Sequence, residues 1–400
     1  MTYIGGAALL NTSSLAYKYG LYPMVDAIAF IIAIILVLFF IKKIRKDKGV
    51  TVADLISGSN KNLSILVGVI SSLVFILILS AQFVALGKLL TPYFPNFPSE
   101  LVMFIPSTLI FLYVFIGGFK SVTKTDILQL VFITLFLILP SFWLLLNGSE
   151  ITNDSNIKVS NFETMPINLI ILLSISLIYL PFSQDINIRV KSGKTAKQSK
   201  IGLIVGALIY TILLGCTTFI GMALANNGIT INDGEQAYSV FFQTFYPKLG
   251  ILAALAAIIS SMDSFALNAI TTISNDIISK VSKKSKVSFF IRLSGLIVFV
   301  LAIMIALYFN QILSIILAGV ILYVSVIGSI ALGKYLKVKD NNIFIGSIIT
   351  ISIILFLEIF KIKFDPKAII YPIIGCCSIL VFFFFKKKII KYENFHRLFK

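Results

Sequence analysis

Residues 253–276 read Ala-Ala-Leu-Ala-Ala-Ile-Ile-Ser-Ser-Met-Asp-Ser-Phe-Ala-Leu-Asn-Ala-Ile-Thr-Thr-Ile-Ser-Asn-Asp. The run begins as a membrane helix of small residues. Midway it sets Ser260, Ser261, Asp263 and Ser264 where lipid-facing side chains are expected. Hydroxyls and a carboxylate cannot face hydrocarbon cheaply, so they face a protein interior or a wet cavity. At about 100° per residue, Ala257, Ser260, Ser261 and Ser264 fall on one stripe, with Asp263 beside it. Hard oxygens next to small side chains suit a desolvated alkali cation, which needs oxygen ligands and close backbone approach. The alternative is that the serines only hydrogen-bond neighbouring helices. Asp263 weighs toward the ion, because a carboxylate inside a membrane is a functional candidate by default.

Composition agrees with a membrane setting. The chain is 58% hydrophobic with a mean hydropathy of +0.99, far above a soluble domain. A net charge of +17 in a soluble protein would suggest nucleic acid; here the charges sit between apolar segments, and no nucleic-acid partner is expected. Cys216, Cys376 and Cys377 lie in apolar runs without metal-ligand spacing and read as small packing residues. With His396 as the only histidine and no clustered Cys or carboxylates, neither an enzyme nor a bound cofactor is expected.

Eleven apolar segments are long enough to cross roughly 30 Å of hydrocarbon. They fall near 21–41, 63–90, 100–117, 125–146, 166–182, 201–226, 249–272, 288–308, 311–333, 342–360 and 367–385. If segment 21–41 runs inward, alternate loops hold 27 of the 34 basic residues, from Lys42 and Arg45 through Arg189 to the tail from Lys386. That asymmetry predicts a multi-pass integral protein of a bacterial cell membrane with a cytoplasmic C-terminus. It also strands Met1 near the bilayer midplane, since residues 2–17 are too short for a full span. Either those residues peel out to the surface or the chain lacks the inner half of its first helix. On the second view, an apolar helix is encoded upstream of codon 1, and the 400 residues alone do not perform coupled uptake.

Two further stretches carry polar residues at membrane depth. In Ile116-Gly-Gly-Phe-Lys-Ser-Val-Thr-Lys-Thr-Asp-Ile-Leu-Gln129, the glycines are expected to end one helix and Thr125-Asp126 to open the next. Asp126 then sits in a first turn, where the dipole stabilises it; its depth would also let it share a site with Asp263 and Ser264. Residues 181–200 are expected to leave the membrane at Pro181 as a basic surface helix, with Asp185 pairing Arg189 one turn on.

Together, Gly117-Gly118 to Gln129, Gln184-Asp185 with Arg189, and Ala256-Ala257 through Ser260-Ser261-Met262-Asp263-Ser264 to Asn268 resemble the sodium:solute symporter family, as does Gln82-Phe-Val-Ala-Leu-Gly-Lys88. The order and spacing match over Tyr3 to about Lys339. The resemblance implies an all-α polytopic protein with a five-plus-five inverted-repeat transporter fold, its first helix broken and solute bound at the midplane. The inner half of that helix has no counterpart in these residues. It implies a sodium site with Ala257, Ser260 and Ser261, and a possible second cation site with Asp126, Asp263 and Ser264. Gln82, Tyr179 and Ser325 are candidates for the solute cavity. Residues 1–339 would form the transporter core, and 340–400 two additional helices with a basic tail. The expected function is sodium-coupled symport of a small organic solute into the cell, with sodium as coupling ion and the lipid bilayer as setting. A solute sensor that does not transport, or a non-functional symporter fragment, are the alternatives.

Overall fold

The structure is a computed structural model. It describes residues 3–46, 49, 51–58, 60–151, 162–231, 237–245, 247–281, 287–309, 311–360 and 367–398. Among them, eight helices are long and apolar enough to cross a membrane, nine if one bent pair counts as a single span. No strand occurs among the described residues.

The chain opens with α1 (Gly6–Tyr19) and α2 (Met24–Lys46), followed by a short α3 (Val52–Ser57) and α4 (Lys61–Leu90). Short polar caps set the starts at the basic end: Thr51 accepts from the Asp54 amide at 3.3 Å and Asn60 from the Leu63 amide at 2.9 Å. Inside the spans, hydroxyls such as Ser80 and Thr217 bond carbonyls of their own helix, which satisfies them without water.

Helix α5 departs from expectation. It runs unbroken from Ser99 to Ile151, through the loop predicted after Gly117-Gly118. No proline lies between Pro106 and Pro140, and glycine alone costs a helix only about 1 kcal/mol. The predicted segments 100–117 and 125–146 therefore share one helical run.

The predicted span 166–182 is instead two short helices, α6 (Ile167–Leu173) and α7 (Ser176–Phe182). They bend by 44° into α8 (Gln184–Ser192). Here the expectation of a surface helix is corrected. Gln184, Asp185, Ile186 and Asn187 are buried, and only the following half emerges. Partners make this burial possible. Ser183 caps α8 and receives the Tyr3 hydroxyl at 3.0 Å; Arg189 pairs with Asp185 at 3.0 Å; Thr272 donates to Gln184 at 3.0 Å.

The remaining elements are α9 (Ala196–Asn226), α10 (Ala237–Phe245), α11 (Pro247–Thr272), α12 (Ser279–Val281), α13 (Val287–Tyr308), α14 (Ile312–Tyr323), α15 (Ser329–Tyr335), α16 (Asp340–Ile359) and α17 (Lys367–Leu398). Helices α4 and α11 are the most buried of the spans and lie against each other and against α5. Helix α1 packs along α9, where Gly221 meets the Ser13 carbonyl with no room for a side chain. The Arg45 guanidinium closes the basic end of α2, donating to the Val190 and Gly193 carbonyls at 2.7 Å each.

Candidate ion and solute site

Helix α1 begins inside the bundle. Ile4, Gly5 and Gly6 are buried, and Gly5 caps the helix in an extended conformation (φ −96°, ψ 171°) without a side-chain hydrogen bond. A Cβ placed on Gly5 would lie 2.6 Å from Ser261 Oγ and 2.8 Å from Gln82 Oε1. The start of α1, the last third of α4 and the polar stripe of α11 therefore meet at one point. Glycine is needed there because the backbone itself comes up to the two polar side chains. Next to it, Gly6 stands against Ile258. Ala257, Ser260, Ser261 and Asp263 are fully buried and Ser264 nearly so. The stripe thus faces protein, as the cost of polar groups in lipid requires.

The side chain of Asp126 lies outside the described residues. One turn on, Gln129 is buried in α5 with no hydrogen-bond partner for its Oε1 among the described residues. Of the predicted second cation set, the structure describes Asp263 and Ser264.

A cavity of about 180 Å³ opens beside the meeting point, in the half of the bundle away from the basic loops. Gln82 and Tyr179 both line it, together with Asn11 and Thr12 of α1. Tyr179 is buried and its hydroxyl has no hydrogen-bond partner among the described residues. Ser325 does not reach the cavity. It is buried in a π-helical turn (Val324–Gly328), donates to the Ile321 carbonyl at 2.7 Å, and packs its own carbonyl against Gly375 of α17.

Two features escaped the sequence reading. The first is Asp26, in the opening turn of α2, which lines the cavity and accepts a 2.6 Å hydrogen bond from the Tyr210 hydroxyl. An acid within an otherwise apolar run was the available signal, masked by its place at a helix start. The Tyr210 ring stacks on Phe30 at 4.2 Å, and Tyr3 meets Phe30 edge-on at 5.5 Å. Tyr3, Phe30 and Tyr210 also line a second cavity of about 200 Å³ toward the basic end, with Ile34, Ile186 and Arg189. One aromatic layer is thus a shared wall of two cavities on opposite sides of the bundle's middle.

The second feature is the continuation of the α11 stripe. Ser261, Ser264, Asn268, Thr272 and Asp276 follow at three- and four-residue steps, all buried, and span about 22 Å at 1.5 Å per residue. At the far end Asp276 Oδ1 accepts from Thr51 at 2.7 Å, and Lys280 bridges to Asp54 at 3.0 Å while also meeting Ser64. The helix widens to a π-turn over Ile273–Ile278 at this point.

A sodium-coupled sialic acid symporter, solved substrate-bound and outward-open, superposes with a TM-score of 0.72 at 19% identity, covering 95% of this chain and 86% of that one. The nucleobase-cation-symport-1 family transporter Mhp1, closed with bromovinylhydantoin bound, gives 0.60 at 12% identity over 96% and 88% of the two chains. Its inward-facing conformation gives 0.60 at 13% identity, with 97% and 88% covered. The expected transporter fold is therefore the observed one. A comparison with curated proteins finds no match. Residues 1–338 match the profile of the sodium:solute symporter family, and the chain, an integral membrane protein, belongs to that family.

Proposed function

We propose that this protein is a secondary active transporter that couples sodium to the uptake of a small organic solute. Sodium binds among Ala257, Ser260 and Ser261 against the backbone at the start of α1, and Asp263 and Ser264, with Asp126, hold a second cation. Solute binds in the adjoining cavity between Gln82 and Tyr179. The basic end faces the cytoplasm, so the cavity beside α1 opens outward. The two additional helices and basic tail of 340–400 stand outside the transporter core of 1–339.

The observation that carries this reading is the convergence of Gly5, Gln82 and Ser261 next to a cavity. Sodium bound there would pin α1 to α11 and stabilise the state in which the cavity is open to solute. Coupling exists to the extent that sodium binds the outward and inward states unequally. Transport requires the layer of Tyr3, Phe30 and Tyr210 to part, joining solute to the second cavity.

The test is uptake of a mixed solute panel into proteoliposomes containing the full chain, with an inward sodium gradient or with potassium in its place. Accumulation that needs the sodium gradient is the expected result. Sodium-independent equilibration, or binding without accumulation, would replace symport with facilitation or sensing.

A further inference from the structure

The cavity beside α1 holds one ionisable acid amid aromatic faces. Among the described residues that line it, Asp26 is the only carboxylate, and none is Lys, Arg or His. A place in the first turn of α2 gives an acid a dipole to stabilise it, which alone would explain its presence. It does not explain why the side chain turns inward to line the cavity and meet Tyr210 at 2.6 Å. A carboxylate offers about four acceptor positions. Tyr210 takes one of them, which leaves lone pairs for a donor entering the cavity. Phe30, stacked on Tyr210, lines the same cavity, and aromatic surroundings favour an organic cation.

We infer that the solute carries a protonated amine, received by Asp26 against the rings of Phe30 and Tyr210. This rests on the reading of the cavity as the solute site. A carboxylate in a low-dielectric cavity is costly until a positive group joins it. An amine supplies that charge and hydrogen-bond donors as well. A carboxylic acid without an amine would bring a second negative charge beside Asp26, with no basic side chain in the lining to offset it.

The test uses the full chain in nanodiscs and reads thermal unfolding with and without sodium. The probes are α-amino acids, each beside the carboxylic acid lacking only its amine, with simple primary amines and neutral hexoses. At least one amine-bearing probe is expected to raise the unfolding temperature while its amine-free partner does not. In Asp26→Asn the apparent Kd for that probe should rise roughly ten- to a hundredfold, with the shift caused by sodium alone retained and Asp26→Glu recovering part of the loss. Three results would overturn the inference: binding of amine-free acids or hexoses but not amines, wild-type amine affinity in Asp26→Asn, or no response to any amine by protein that responds to sodium. Loss of the sodium shift with amine binding intact in Asp26→Asn would make the acid an ion ligand and also overturn it. Should Asp26→Asn not fold, the matched probes on the wild-type chain decide alone. An Asp26-dependent amine shift in protein indifferent to sodium would sustain this inference while removing the proposed coupling.

Discussion

Ser260 and Ser261 are adjacent hydroxyls, buried on one helix, and Ser261 lies against the Gly5 backbone. Each neutral oxygen lost from a cation site should cost on the order of 1–2 kcal/mol, a five- to thirtyfold change in affinity. Ser260→Ala and Ser261→Ala are accordingly expected to raise the half-saturating sodium concentration by that factor with the fold intact. Sodium titration of unfolding temperature or uptake measures it, and unchanged values in both variants would remove these residues from the site. Gly5→Ala probes the same contact from the other side. Its added methyl would press on Ser261 and on the Gln82 amide, both of which must shift. We expect weakened sodium response in a folded protein; a normal titration would show that the stripe and the start of α1 act separately.

Helix α11 does more than present one pair of serines. Its polar face continues to Asp276, which joins it to the loop before α3, while Lys280 ties the same end to α3 and α4. These contacts differ in worth because they differ in burial. Asp276 is fully buried and Asp54 is one-third exposed. Removing the buried acceptor in Asp276→Ala orphans Thr51 and should cost about 1–3 kcal/mol. Breaking the partly exposed pair in Asp54→Ala should cost about 0–1 kcal/mol. Thermal unfolding of the two variants gives the order, and an equal or reversed loss would show that Asp276 is not the anchor of this end.

Across the whole molecule, basic loops and tail at one end predict a cytoplasmic face, and the cavity with Asp26 lies in the opposite half. Single cysteines report this directly once Cys216, Cys376 and Cys377, all free thiols, are replaced. A cysteine at Asn227, beyond the end of α9, should react with a membrane-impermeant maleimide from outside intact cells. A cysteine at the exposed Lys194, before its start, should react only after lysis. The opposite pattern would invert the bundle and turn the proposed importer around.

The helical, membrane-spanning class, the positions of most spans and the polar stripe of α11 were legible in the sequence. All three rest on local rules: hydrocarbon rejects charge, spans need about 20 apolar residues, and a helix repeats every 3.6 residues. Those rules say which face of a helix is unusual but not what it meets. Tyr3, Phe30 and Tyr210 are far apart in the chain, and only packing makes them one layer between two cavities. Asp26 stands at a helix start, and only the fold brings Tyr210 beside it. Gln184 to Asn187 read as surface because they are polar; Tyr3, Ser183, Thr272 and Arg189 supply the local partners that make burial possible. Ser325, a hydroxyl at suitable depth, bonds the Ile321 carbonyl of its own helix instead of lining the cavity, while its backbone carbonyl lies against Gly375 of α17. Depth in the membrane follows from counting residues, whereas direction depends on the neighbours a folded chain brings.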